Sequence, residues 1–256
     1  MDKNSVQSVE RTFSIIEALS QAPKGAFLSE LSTATALNKT TVHRLLSSLI
    51  MMGYAAKDFD TGRYLLTIKM YEVGSRALRR LDMLTTAKPY LEKLSNVTGE
   101  AVHLVIRDGN DIVYIFKEDK GNNSVRMSSR VGLRSPMYCT AVGKAILAEL
   151  PEEEVESIWK TSDITPHTEK TITSFTLLKK QLKAIREKGY AVDDEENERG
   201  VRCVGASILD FSGVVAGAFS VSVPVSRMDD NRLKAIAELV TETKKEICSL
   251  MGCSID

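Results

Sequence analysis

The chain has 256 residues, 43% of them apolar, and its 34 Lys+Arg balance 34 Asp+Glu. That length and apolar share suit two domains with cores of their own, and zero net charge excludes a nonspecific polycation. The balance hides a gradient: Lys and Arg outnumber Asp and Glu over residues 1–83 and are outnumbered over 84–256. A polyanion would therefore meet the N-terminal part. The four cysteines, Cys139, Cys203, Cys248 and Cys253, show neither a CxxC pair nor zinc spacing, and read as reduced thiols of a cytoplasmic protein. With no leader pattern and no run of 18 apolar residues, the expectation is a soluble chain with no membrane partner.

The first helix is expected from Ser8 to Ser20, with Ser8 as its cap and Val9, Phe13, Ile16 and Leu19 turned inward. Pro23-Lys-Gly25 ends it, and Leu28–Leu37 reads as a shorter helix. From Asn38 to Gly53, Val42, Leu45, Leu46 and Leu49 recur at helical spacing, with Asn38 a cap and Gly53 a stop. The other side of that helix carries Lys39, Thr40, Thr41, His43, Arg44 and Ser47, with no acid among them. Two helices on so tight a turn, the second polar and basic at its start, describe a helix-turn-helix whose second helix enters the major groove. Tyr54–Lys57 and Arg63–Thr67 then read as a hairpin around Asp58–Gly62, the wing of a winged helix, with Lys57 and Arg63 near the DNA backbone. An ordinary helical hairpin with a solvated face is the competing reading.

Ile68 to Arg80 is helical by pattern (Ile68, Tyr71, Val73, Leu78), with Arg76, Arg79 and Arg80 near its end; it is either a connecting helix or a buried helix of the second domain. The boundaries expected are a winged helix over 1–67, a linker helix over 68–83 and a second domain over 84–256. That domain opens with a helix from Leu84 to Thr98 and a hairpin, Ala101–Ile106 with Ile112–Phe116, around Asp108-Gly-Asn-Asp111. Val125–Ser128 is a further strand, and Arg130–Thr140 an extended loop before a helix over Ala141–Leu150. Helices at Glu152–Trp159 and Ser174–Lys188, strands at Gly189–Val192, Val201–Leu209 and Val214–Val225, and a closing helix at Asp229–Met251 complete a mixed α/β (α+β) domain with a mainly antiparallel sheet.

Asp193-Asp-Glu-Glu-Asn-Glu198 lies between two strands. By itself it is a solvated acidic loop, a metal site, or the rim of a pocket with one acid turned inward; calcium-loop spacing and a nearby His are absent.

Gly189, Asp193, Glu196, Cys203-Val-Gly205, Ile208 and Asp210 are spaced as in the signature of the IclR family of bacterial transcription regulators, which the chain resembles from about Val9 to Ile247. Leu209 stands where that family usually has an aromatic or His. Ser135–Leu147 and Gly217–Pro224 are similar as well. The resemblance implies a winged helix-turn-helix, a linker helix and a GAF-like or profilin-like effector domain, assembled as a homodimer or homotetramer. It also implies a small-carboxylate site formed by the backbone N–H groups of Ala141 and Val142 with the side chains of Asp193, Cys203, Ser220 and Ser222. Ala141 replaces the Gly common at that helix start. A helix N-terminus suits a carboxylate because its free N–H groups and dipole favour an anion, and Ser220 and Ser222, two apart on a strand, face one way. Met127, Leu133 and Met137 are expected apolar walls.

An enzyme would need Cys203 with His43, His103 or His167 as nucleophile and base, but no GxSxG, HExxH, P-loop or GxGxxG is present. Asp193 and Cys203 alone are too few for a metal site. A protein–protein adaptor that binds no DNA is the rival of another class. The reading adopted is a regulator, not an enzyme, that binds double-stranded operator DNA under control of a 2-keto acid or sugar acid, with no cofactor or metal.

Overall fold

A computed structural model of the protein describes residues 6–78, 82–119 and 129–253, without the side chains of 75–78 and 82. The expected strand Val125–Ser128, the wall residue Met127 and the cluster of Arg76, Arg79 and Arg80 side chains lie outside the described residues. The chain divides into two compact units, Met1–Leu81 and Asp82–Asp256.

In the first unit, α1 (Gln7–Ser20), α2 (Leu28–Thr35) and α3 (Lys39–Met51) enclose a core of Ile15, Leu19, Leu31, Val42, Leu46 and Leu49. The α1 expectation needs correction. Val6 is the N-cap, without a side-chain bond, and Ser8 lies inside the helix. Phe13 is 56% exposed and Val9 is exposed too, while Ile15 is fully buried. The inward face thus runs through Ile15 and Leu19, and Val9 and Phe13 stand beside it.

Helix α2 ends two residues early because Ala36 turns left-handed at φ 54°, and the Ser32 hydroxyl closes the turn on the Leu37 carbonyl at 2.6 Å. The wing follows as β1 (Ala55–Lys57) paired antiparallel with β2 (Tyr64–Leu66). Tyr64 also exchanges both backbone hydrogen bonds with Ala26, so the wing is anchored to the loop before α2. A Cβ on Gly25 would lie 2.8 Å from the Tyr64 carbonyl oxygen, which makes glycine a requirement of that junction. Helix α4 (Ile68–Leu78) ends the unit with Ile68, Tyr71 and Val73 exposed.

The second unit holds α5 (Asp82–Thr98), β3 (Ala101–Asp108), β4 (Asp111–Glu118), β5 (Arg134–Pro136), α6 (Ala141–Glu149), α7 (Glu152–Thr161), α8 (Phe175–Lys188), β6 (Ala191–Asp194), β7 (Val201–Leu209), β8 (Val215–Pro224) and α9 (Asp230–Leu250). The strand β5 lies inside the segment read as loop; its Ser135 pairs with Ile112. All neighbours in the sheet, ordered β5-β4-β3-β8-β7-β6, are antiparallel. Helices α6, α7 and α8 share one core with Val105, Tyr114, Ala191 and Ala218 of the sheet, while α5 and α9 contact each other. Among the described residues no helix is long and apolar enough to cross a membrane.

Candidate functional site

On α3 the Asn38 side-chain oxygen accepts from the Thr41 N–H at 2.8 Å, fixing the first turn. Val42, Leu45, Leu46 and Leu49 are buried, so helical geometry alone sends Lys39, Thr40, His43 and Arg44 outward; Thr41 is half-buried at the edge. Lys57 is exposed on the wing, its ammonium 5.6 Å from the Tyr64 ring centre. Arg63 is placed differently. Its guanidinium donates to the Gly25 carbonyl at 2.7 Å, lies 4.2 Å from the Phe27 ring centre and sits 3.6 Å from Glu30. It braces the wing against the rest of the unit.

In the second unit the sheet register gathers the expected effector residues. Asp193 pairs with Cys203, Cys203 with Ser222, Gly205 with Ser220, and Ser220 with His103. Directly opposed residues share a face, as do residues two apart, so Asp193, Cys203, Ser220, Ser222 and His103 lie on one side of the sheet. The amino end of α6 meets that side at Gly205, where a Cβ would lie 3.2 Å from the Val142 nitrogen and 2.9 Å from the Phe219 carbonyl oxygen. Glycine there lets the helix start come down on the sheet. The Thr140 hydroxyl caps the Gly143 N–H at 3.1 Å and the Thr140 carbonyl takes the Lys144 N–H. The Ala141 and Val142 N–H groups precede those bonds and belong to no turn of the helix. Leu133 is half-buried against the same core, and Met137 is buried in it.

The polar groups here are held in a low-dielectric setting. Asp193 is buried; its Oδ1 accepts from the Glu196 and Asn197 N–H groups at 2.7 and 3.3 Å, and burial raises its carboxyl to about 7 although Lys144 opposes the shift. The Cys203 thiol donates to the Ser222 hydroxyl at 3.1 Å, and burial, reinforced by Asp193, pushes it upward and keeps it neutral.

Three residues that sequence reasoning left out of the site complete it. His103 joins the row, with Nδ1 at 3.3 Å from the Ser222 hydroxyl and Nε2 at 2.8 Å from the Ser129 hydroxyl. Lys144, fully buried on α6, donates to Gln181, to the Val192 carbonyl and to Glu196. Glu196, the third, is buried as well, and its Oε2 has no hydrogen-bond partner among the described residues. The acidic stretch is therefore of two kinds: Asp193 and Glu196 are turned inward, whereas Asp194 and Glu195 pair with Lys170 at the surface. Among the described residues no group of three or more His, Cys, Asp and Glu is placed to hold a metal. Of the three histidines, His103 is the one linked to Cys203, through Ser222, yet burial of the thiol works against a thiolate nucleophile.

Comparison with known proteins gives the family. Residues 8–58 match the IclR helix-turn-helix domain and residues 75–249 the C-terminal domain of bacterial IclR transcriptional regulators. The chain is 37% identical over 249 residues to the HTH-type transcriptional regulator KdgR of Escherichia coli, covering 97% of this chain and 94% of that one. It is 36% identical over 251 residues to the DNA-binding transcriptional repressor YiaJ of Escherichia coli, covering 97% and 89%. The crystal structure of Thermotoga maritima IclR superposes with a TM-score of 0.83 at 33% identity, covering 96% of this chain and 99% of that one. This chain belongs to the IclR family of bacterial transcriptional regulators.

Proposed function

We propose that the protein is a repressor that binds a near-palindromic operator as a homodimer or homotetramer and is controlled by a small organic acid, a 2-keto acid or sugar acid. That it is an effector-responsive DNA-binding regulator and not an enzyme follows from its family; the residues, the acid and the assembly are the proposal. Thr40, Thr41, His43 and Arg44 face base edges or phosphates, and Lys39 and Lys57 face the backbone beside them. Arg63 serves this surface by holding the wing. Residues 68–83 act as the linker, so that 1–67 and 84–256 are the functional domains.

The observation that carries the effector reading is the start of α6, where the Val142 nitrogen comes down on Gly205, beside Cys203 on β7 and opposite Ser220, on the face that holds Asp193 and Ser222. The Ala141 and Val142 N–H groups and the serine hydroxyls donate to a carboxylate, while Asp193 and Cys203 meet the rest of the acid. For the dimer, the supporting feature is an apolar groove within the first unit, lined by Val9, Phe13, Ile16, Leu49, Met70 and Val73. Its exposed Phe13 and Val9 have the character of a surface covered by a second copy.

A thermal-shift series with pyruvate, glyoxylate and 2-keto-3-deoxygluconate tests the effector. A ligand of the folded state at 100 times its Kd adds about 2.7 kcal/mol, and Ser220→Ala should abolish the gain. No shift with any small acid would end the carboxylate reading and leave the family assignment untouched. Sedimentation of Phe13→Asp tests the groove, with monomer expected.

A further inference from the structure

We propose that His103 is a positioning residue of the effector site, holding its ring proton on Nδ1 when an acid is bound so that the Ser222 hydroxyl is free to donate to the acid. The inference rests on the carboxylate reading above and adds a residue and a protonation pattern to it.

A carboxylate only accepts hydrogen bonds, so every group that binds it must donate. Ser222 has one proton to give and three neighbours to satisfy: the Cys203 thiol at 3.1 Å, His103 Nδ1 at 3.3 Å, and the acid. The thiol can supply its own proton to Ser222. The ring is different, because a neutral imidazole has one nitrogen that donates and one that accepts. If Nδ1 is bare, it sits buried in the sheet as an acceptor and takes the Ser222 proton, leaving an oxygen lone pair facing an anion. If Nδ1 carries the proton, it donates to Ser222, and the Ser222 hydroxyl turns toward the acid.

The far side of the ring allows this arrangement. Nε2 lies 2.8 Å from the Ser129 hydroxyl, which can donate as readily as accept. Ser129 is held by a second contact, from the Lys117 ammonium to its carbonyl at 2.9 Å. The Tyr114 ring stands edge-on to the imidazole, 5.4 Å between centres. Burial, then the Lys117 charge, lower the His103 pKa to about 3, so the ring is neutral and its tautomer is a defined property across the physiological range. A protonated ring would itself attract an anion; this site instead uses the histidine to orient a hydroxyl.

The chain has three histidines, which makes a long-range 1H–15N spectrum of the histidine-labelled full-length protein readable. With pyruvate or 2-keto-3-deoxygluconate added, whichever binds, the His103 ring should show its proton on Nδ1. In parallel, His103→Leu should weaken that acid by about tenfold or more, as expected for one hydrogen bond to a charged group, with operator affinity unchanged. His103→Asn places an amide where Nδ1 was and should restore much of the affinity; His103→Gln, which reaches toward Ser129 instead, should not. If His103→Leu fails to fold, the spectrum and the Asn–Gln pair still decide. A bound ring protonated on Nε2, equal binding by the Asn and Gln variants, or wild-type affinity in His103→Leu would overturn the inference while leaving the carboxylate site intact. Absence of binding by pyruvate, glyoxylate and 2-keto-3-deoxygluconate alike to the wild-type protein would remove the carboxylate reading and this inference with it.

Discussion

In the first unit Lys39, Thr40, His43 and Arg44 stand exposed on α3, and the fold asks only that the opposite face of the helix be apolar. In the second, Asp193, Glu196, Lys144, His103 and Ser222 are buried; Asp193 is fixed by the Glu196 and Asn197 backbone N–H groups and the other four by side chains from elsewhere in the unit. A polar group in water can be replaced at little cost to stability, whereas one buried in the sheet leaves its partners unsatisfied when it goes. Substitutions on α3 should therefore change recognition without changing folding. Those under α6 should change both, and the variants below are chosen to strain that contrast.

The largest effect is expected at the Lys144–Glu196 pair. Lys144→Met keeps the bulk but leaves the Glu196 carboxylate buried without its counter-charge, a change that costs about 3–5 kcal/mol when one partner of a buried pair is removed. Lys144→Met with Glu196→Gln should recover a large part of that loss. Urea denaturation of the full chain measures both, and a loss under about 1 kcal/mol in the single variant would show the pair to be dispensable. Arg44→Ala comes next and should leave the denaturation curve unmoved. If Arg44 reads a guanine, operator affinity falls by about 1–3 kcal/mol and selectivity relaxes. A loss equal on operator and random DNA would assign Arg44 to phosphate.

The same contrast governs what could be read before any fold was known. Helix α3 was legible because its apolar period, its Asn38 cap and its uncharged-to-basic outer face agree, and exposed chemistry needs no partner from elsewhere. Lys144 and His103 were harder, since their partners come from residues up to 119 positions away. A signal existed all the same. Lys144 is the one charged residue inside Ala141-Val-Gly-Lys-Ala-Ile-Leu-Ala148, and His103 interrupts Ala101-Val-His-Leu-Val-Ile106. A lone ionisable side chain in an element apolar on all sides must be buried with a partner. The α1 error has the opposite origin: Val9, Phe13 and Ile15 fit more than one helical face, and period alone does not say which face an absent neighbour covers.

Asp193→Asn should separate pH from packing at the buried site. The folded carboxyl lies near 7 against an ordinary 3.8. Its favourable contribution is therefore fully present below about pH 4 and lost as the pH rises through about 7. Asparagine does not ionise and can still accept from the Glu196 and Asn197 N–H groups. Melting temperatures of the two proteins should converge near pH 4 and separate progressively toward pH 8, with the variant higher. A gap that is constant in pH, or the wild type melting higher at pH 8, would mean that the carboxylate form is the stabilised one.

The smallest effect tests the one basic wing residue that the fold draws inward. Arg63 donates to the Gly25 carbonyl and stacks on Phe27, both within the first unit, and its Glu30 neighbour at 3.6 Å is half exposed to water. Water screens that ion pair, so its contribution is small. The stacking and the hydrogen bond should carry what Arg63 supplies, on the order of 1 kcal/mol at a partly exposed site. Arg63→Lys cannot reproduce the planar stack and should lose most of that stability, although it keeps the charge that a phosphate would see. Lys57→Ala has no such brace to lose and should reduce the salt dependence of operator binding instead. If Arg63→Lys is as stable as the wild type while Arg63→Ala flattens the salt slope, Arg63 contacts DNA directly, and the wing does not depend on the Arg63 brace beside its Ala26–Tyr64 backbone bonds and its packing on the core.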